Sequence, residues 1–117
     1  MNTAPPPASR LYKLLFRFFQ VTKRKQGGVC WTNVKDCLLS SQLSEPQVLQ
    51  IWEHAAGFEP IFGTEKITEH QFELMLRLVF LKQTQPDIEP SIPSLHNYLQ
   101  EHGDTEFPEI QYPAGFR

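Results

Sequence analysis

A chain of 117 residues with 40% apolar and 12% aromatic content has material for one hydrophobic core with tails, not for two domains. Its 11 basic and 13 acidic residues leave a formal net charge of −2, which gives no global pull toward nucleic acid or anionic lipid. No apolar run reaches the roughly 20 residues a membrane span needs, and the opening Met1-Asn2-Thr3-Ala4-Pro5-Pro6-Pro7 lacks the charged-then-apolar layout of a secretory signal.

The Pro-rich residues 1–8 read as a disordered tail. Ser9 then precedes an apolar stripe of helical period, Leu11, Leu14, Leu15, Phe18 and Phe19, with Lys13 and Arg17 on the wet side. This predicts an amphipathic helix from about 9 to 21. Thr22-Lys23-Arg24-Lys25-Gln26-Gly27-Gly28 breaks it with a basic turn and two glycines, and Val29-Cys30-Trp31 is a short β-prone triplet. Thr32 is the expected N-cap of a second helix, from about 32 to 40, carrying Val34, Cys37 and Leu38. Lys35 stands where a capping box wants Glu, so that box is incomplete.

Ser44, with Pro46 in the first turn, opens a third helix with the stripe Val48, Leu49, Ile51, Trp52 and Ala55, ended by Gly57. Phe58 to Lys66 is irregular. Thr68 with Gln71 three residues on is a full capping-box pattern, opening a fourth helix from about 68 to 83. Phe72, Met75, Leu76, Val79 and Phe80 line one face of it, and Leu74, Leu78 and Leu81 fill much of the other. A helix apolar nearly all round is expected at the centre, with neighbours on both sides. Pro86, Pro90 and Pro93 then mark an extended tail, in which Ser94 to Leu99 has the pattern for a further turn or two.

The expected architecture is mainly α: two helix–loop–helix units, each with a short β-like stretch before its second helix. Paired EF-hands have this layout, because their two loop strands hydrogen-bond to each other. Cys30 and Cys37, read as lying on one helix, would stand about two turns or roughly 10 Å apart at ~1.5 Å per residue. A disulfide wants Cα atoms within about 7 Å. Reduced thiols and a cytoplasmic compartment are the expectation. His54, His70, His96 and His102 offer no zinc spacing with these cysteines, and no nucleophile elbow, phosphate loop or paired-carboxylate motif occurs, so neither a metal site nor an enzyme is expected.

The run Leu38-Leu39-Ser40-Ser41-Gln42-Leu43-Ser44-Glu45-Pro46-Gln47-Val48-Leu49-Gln50-Ile51-Trp52 resembles the core of EH domains, which read Leu-Leu-x-Ser-x-Leu-Pro and end in Ile-Trp. Residues 11–16 and 67–79 resemble the family's first and last helices, so the likeness covers about 9 to 95, leaving 96–117 as a C-terminal tail. The resemblance implies a module that binds Asn-Pro-Phe peptides between its second and third helices, as a cytoplasmic adaptor in endocytosis or vesicle trafficking. The implied pocket falls on Val34, Leu38, Val48 and Trp52. Each pair is spaced i,i+4 and so shares one helix face, which agrees with a small apolar cleft walled by Trp.

Two departures from the family stand out. Leu49 occupies a position that is commonly small, which narrows the pocket or changes its preference. The second loop, Ala56 to Gln71, is about four residues longer than the family's norm and lacks the acidic oxygens and final Glu of a calcium site, while the first loop is basic. No calcium is expected in either hand, and no cofactor.

Trp52 has two readings: amphipathicity alone makes it core, and the resemblance makes it the pocket wall. Lys23, Arg24 and Lys25 are either a solvated loop or a weak contact for an acidic peptide or anionic lipid. The competing function is a degenerate EF-hand scaffold, used for dimerisation or intramolecular packing, without a working peptide pocket. Exposure of Trp52 separates the two: a solvent-lined cleft favours the adaptor and a fully buried ring the scaffold.

Overall fold

The computed structural model describes residues 8–22, 29–58 and 66–111. Within them run α1 (Ala8–Thr22), β1 (Val29–Cys30), α2 (Trp31–Leu39), α3 (Glu45–Ala56), β2 (Lys66–Ile67), α4 (Glu69–Thr84) and α5 (Ile92–His102). The strands β1 and β2 pair antiparallel, Val29 opposite Ile67 and Cys30 opposite Lys66. The chain is therefore mainly α, two helix–loop–helix units joined by a minimal two-stranded link. No described helix is long and apolar enough to cross a membrane.

Local chemistry explains the helix ends. Ser44 caps α3 and shares a reciprocal capping box with Gln47, while Pro46 sits in the first turn, where no intrahelical donor is needed. Gly57 closes α3 at φ 87°, a left-handed conformation that costs glycine nothing. Thr68 and Gln71 form the expected capping box of α4. The second helix departs from expectation: it begins at Trp31, and Thr32 is already inside it, with its hydroxyl 3.3 Å from the Cys30 thiol. Gln42 takes φ 71° in the turn that ends α2, a conformation uncommon outside glycine.

At the centre lies α4, with Phe72, Met75, Leu76, Leu78, Val79 and Leu81 buried and α1, α3 and α5 packed around it. Tyr12, Leu15, Phe16 and Phe19 of α1 complete that side of the core, with Phe16 and Phe19 meeting Phe72 at ring distances of 5.5 and 6.2 Å. Each such side chain, fully buried, contributes about 1.5–3 kcal/mol.

The C-terminal boundary expected at 95/96 falls inside a helix. Residues 92–102 form α5, capped by Ser91, and Pro93 stands in its first turn rather than breaking it. Leu95 is buried, and Tyr98 meets Phe80 edge-on. Beyond Gly103 an irregular strap, 104–111, packs back on the helices. Thr105 is buried, Phe107 stacks on Tyr12 at 5.4 Å, and the Gln83 side chain bonds both the N–H and the C=O of Glu109. The packed unit thus extends at least to residue 111. Pro86, Pro90 and Pro93 suggested an extended tail, but the side chains that hold the strap, such as Tyr12 and Gln83, lie far away in sequence.

Cys30 is on β1 rather than on the helix that carries Cys37, and the two do not form a disulfide. Burial pushes the Cys37 thiol from its ordinary 9.0 up to about 11. A raised folded value means that the stability it contributes is whole below pH 9.0 and lost as the pH climbs toward 11, because the unfolded chain ionises first. The urea midpoint should fall through that window, and Cys37→Ala should flatten that part of the profile. Native Cys37 should also alkylate far more slowly than the same residue in urea, since the thiolate is the nucleophile. Equal rates would show an open, ordinary thiol.

Candidate functional site

The four residues expected to line a peptide pocket come together, but as core. Val34 and Leu38 on α2 are each 1% exposed, and Val48 and Trp52 on α3 are 0% exposed. Leu49 is half-buried and packed against the same core. The two i,i+4 faces belong to one core cluster, and two further aromatic rings pack on Trp52. Trp31 stands perpendicular to Trp52 at 5.5 Å and 80°, and Phe58 does so at 6.3 Å and 84°. Edge-to-face pairs of this kind add about 0.5–1.5 kcal/mol beyond the area they bury. No side chain of the four offers a solvent-lined wall to a peptide.

One feature of this packing is imperfect. Trp52 Nε1 is buried and has no hydrogen-bond partner among the described residues. An indole N–H left dry and unpaired costs about 1–3 kcal/mol. Phe58, expected in an irregular loop, follows the left-handed Gly57 that ends α3 and from there reaches the Trp52 ring. A large aromatic following a helix-ending glycine was the signal for it.

The loop between α3 and β2 contributes a second site-level feature. Gln71, where the resemblance would put the last ligand of a calcium loop, makes protein hydrogen bonds instead. Its Oε1 accepts from the Thr68 N–H at 2.8 Å, and its Nε2 donates to the Ala56 carbonyl at 3.2 Å. The side chain therefore ties the end of α3 to the start of α4. Residues 59–65, which hold most of that loop, lie outside the described residues, as do Lys23, Arg24 and Lys25. Among the described residues no group of three or more His, Cys, Asp or Glu is placed to hold a metal. Added calcium should leave the melting temperature unchanged, because any ligand that binds only the folded state must raise it. A rise of several degrees, reversed by a chelator, would overturn that expectation.

A polar cluster that the sequence reading missed fastens the strap to the helices. The Arg77 guanidinium bonds Asp104 and Thr105 through Nη1 and Glu73 through Nη2, the last two at 3.0 Å. Its carbon lies 5.2 Å from the centre of the Tyr12 ring. The Tyr12 hydroxyl is 3.2 Å from Thr105 Oγ1 and donates to the Glu106 carbonyl at 3.3 Å. Burial works against the Arg77 charge, but the hydrogen-bonded Asp104 and Glu73 outweigh it and leave its pKa raised. Burial likewise pushes the Tyr12 phenol up, against the opposing hydrogen bond to Thr105 and the nearby Arg77 charge. The available signal was an arginine set in a helix otherwise apolar on most sides, with a glutamate four residues before it.

No family model, curated protein or solved structure matches the chain.

Proposed function

We propose that this chain is a non-catalytic protein-interaction module of EH-like build whose EF-hand pair acts as a scaffold. The observation that carries the reading is the complete burial of Trp52, together with Val34, Leu38 and Val48, beneath the rings of Trp31 and Phe58. Residues that would line a receptor cleft are here the packing between the two helix–loop–helix units. The Gln71 bridge supports the same reading, since it joins α3 to α4 by protein hydrogen bonds at a position where a metal ligand would stand.

A second reading has its own observation. The Leu-Leu-x-Ser and Ile-Trp resemblance points to Asn-Pro-Phe peptides and to an adaptor in endocytosis or vesicle traffic. The unpaired Trp52 N–H is a donor that a peptide carbonyl would satisfy once Phe58 moved aside. A titration followed by amide shifts separates the two, using an Asn-Pro-Phe peptide with an Asn-Pro-Ala control. The scaffold reading expects no difference between the peptides at millimolar concentration. Shifts confined to the Asn-Pro-Phe peptide and centred on Val34, Leu38, Val48 and Trp52 would overturn it in favour of the adaptor. Such a contact would fall in the micromolar-to-millimolar range, about −4 to −8 kcal/mol.

A further inference from the structure

An open cleft lies away from Trp52, between the link that joins α2 to α3, the C-terminal half of α4 and the strap. Its volume of about 930 Å³ is within the roughly 300–1,000 Å³ of ordinary ligand sites. Leu43, Phe80, Phe107 and Ile110 give it an apolar floor, each half-buried against the core rather than sealed within it. Acidic side chains outnumber basic ones in its lining. Glu106 and Glu109 are exposed on the strap wall, and neither carboxylate has an ion-pair partner among the described residues. Lys82, which also lines the cleft, is drawn past the end of its own helix, donating to the Pro86 and Ile88 carbonyls at 2.6 and 3.4 Å.

We infer that this cleft docks a short peptide segment carrying apolar side chains flanked by Lys or Arg. The inference rests on the interaction-module reading and names the surface on which that module works. Apolar side chains would cover the half-buried floor, and a cation at either end would meet the two free carboxylates. The wall itself is preformed: Gln83 bonds the Ser41 carbonyl and both backbone groups of Glu109, and the Gln111 N–H donates to Ser40 Oγ. The strap is therefore held in place before any partner arrives, which lowers the ordering cost of association. An acidic segment would meet repulsion on the same wall.

The test is an amide-shift titration of the whole chain with the peptide Ac-Lys-Leu-Pro-Leu-Arg-amide, against a copy in which Glu replaces both basic residues. The expected result is saturating shifts at residues 40–43, 80–84, 106–107 and 109–110 with the basic peptide only. The double variant Glu106→Lys, Glu109→Lys changes two exposed side chains and should keep the wild-type spectrum in the core. It should weaken binding at least ~fivefold, and the wild-type affinity should fall as salt is raised. No shift at millimolar peptide, equal shifts with both peptides, or unchanged affinity in the folded double variant would overturn the inference. So would shifts centred on Trp52, a result that would leave the interaction-module reading standing and move its site. The Asn-Pro-Phe titration bears on that other site alone.

Discussion

Trp52→Ala should destabilise the fold by about 3–5 kcal/mol, the range for emptying a buried large aromatic site. The ring is 0% exposed and bounded by Trp31 and Phe58, so neighbouring side chains can close the void only in part. Against a total stability of about 5–15 kcal/mol for a domain of this kind, that is a large fraction. Thermal unfolding should shift down by more than ~10 °C at the usual few degrees per kcal/mol. Trp52→Phe should cost clearly less, although it also removes volume, because it deletes the unpaired indole donor together with the space it occupies. The pair of variants is informative as a pair. An Ala variant within about 1 kcal/mol of wild type by urea unfolding would mean that the indole stands in a cleft and not in the core.

Arg77→Met should release the strap. The substitution keeps an apolar stem of similar length and removes a charge that bonds Glu73, Asp104 and Thr105 and lies over Tyr12. Glu73 and Arg77 are 20% and 15% exposed, so Glu73 would be left poorly solvated and unpaired. Asp104 is more than half exposed, and water screens most of its share. The expected loss is about 1–3 kcal/mol. It should be concentrated in the strap, with amide exchange at Thr105, Glu106, Phe107, Glu109 and Ile110 accelerating more than in α3. Arg77→Lys should fail to restore the wild-type pattern, since one ammonium cannot reproduce a planar fork reaching three partners. A uniform acceleration through the whole chain would show that Arg77 supports the core in general and does not fasten the strap.

Much of the fold was legible from near neighbours in sequence. Ser44 with Pro46 and Thr68 with Gln71 marked the starts of α3 and α4, because a cap and its partner stand three residues apart or closer. The all-round apolar character of α4 placed it at the centre, and the β-prone triplet anticipated the link to Ile67, although its third residue, Trp31, begins α2. Pro93 misled for the same local reason. As an isolated residue it reads as a breaker, yet with Ser91 capping the helix it starts α5.

The candidate site divides along the same line. Sequence alone determined that Val34 and Leu38 share one helix face, as do Val48 and Trp52, because spacing of i,i+4 fixes that geometry whatever surrounds it. It could not determine whether the space between the faces is open. Tertiary structure decided that through Phe58, whose ring reaches Trp52 from beyond the end of α3, and through Trp31 from the start of α2. It also decided that the C-terminal segment is a wall of the domain, since Tyr12 and Thr105 meet across 93 positions of chain. Periodicity and capping report on contacts within a few residues. Burial is set by whatever packs on a face from far along the chain, and no local pattern contains it.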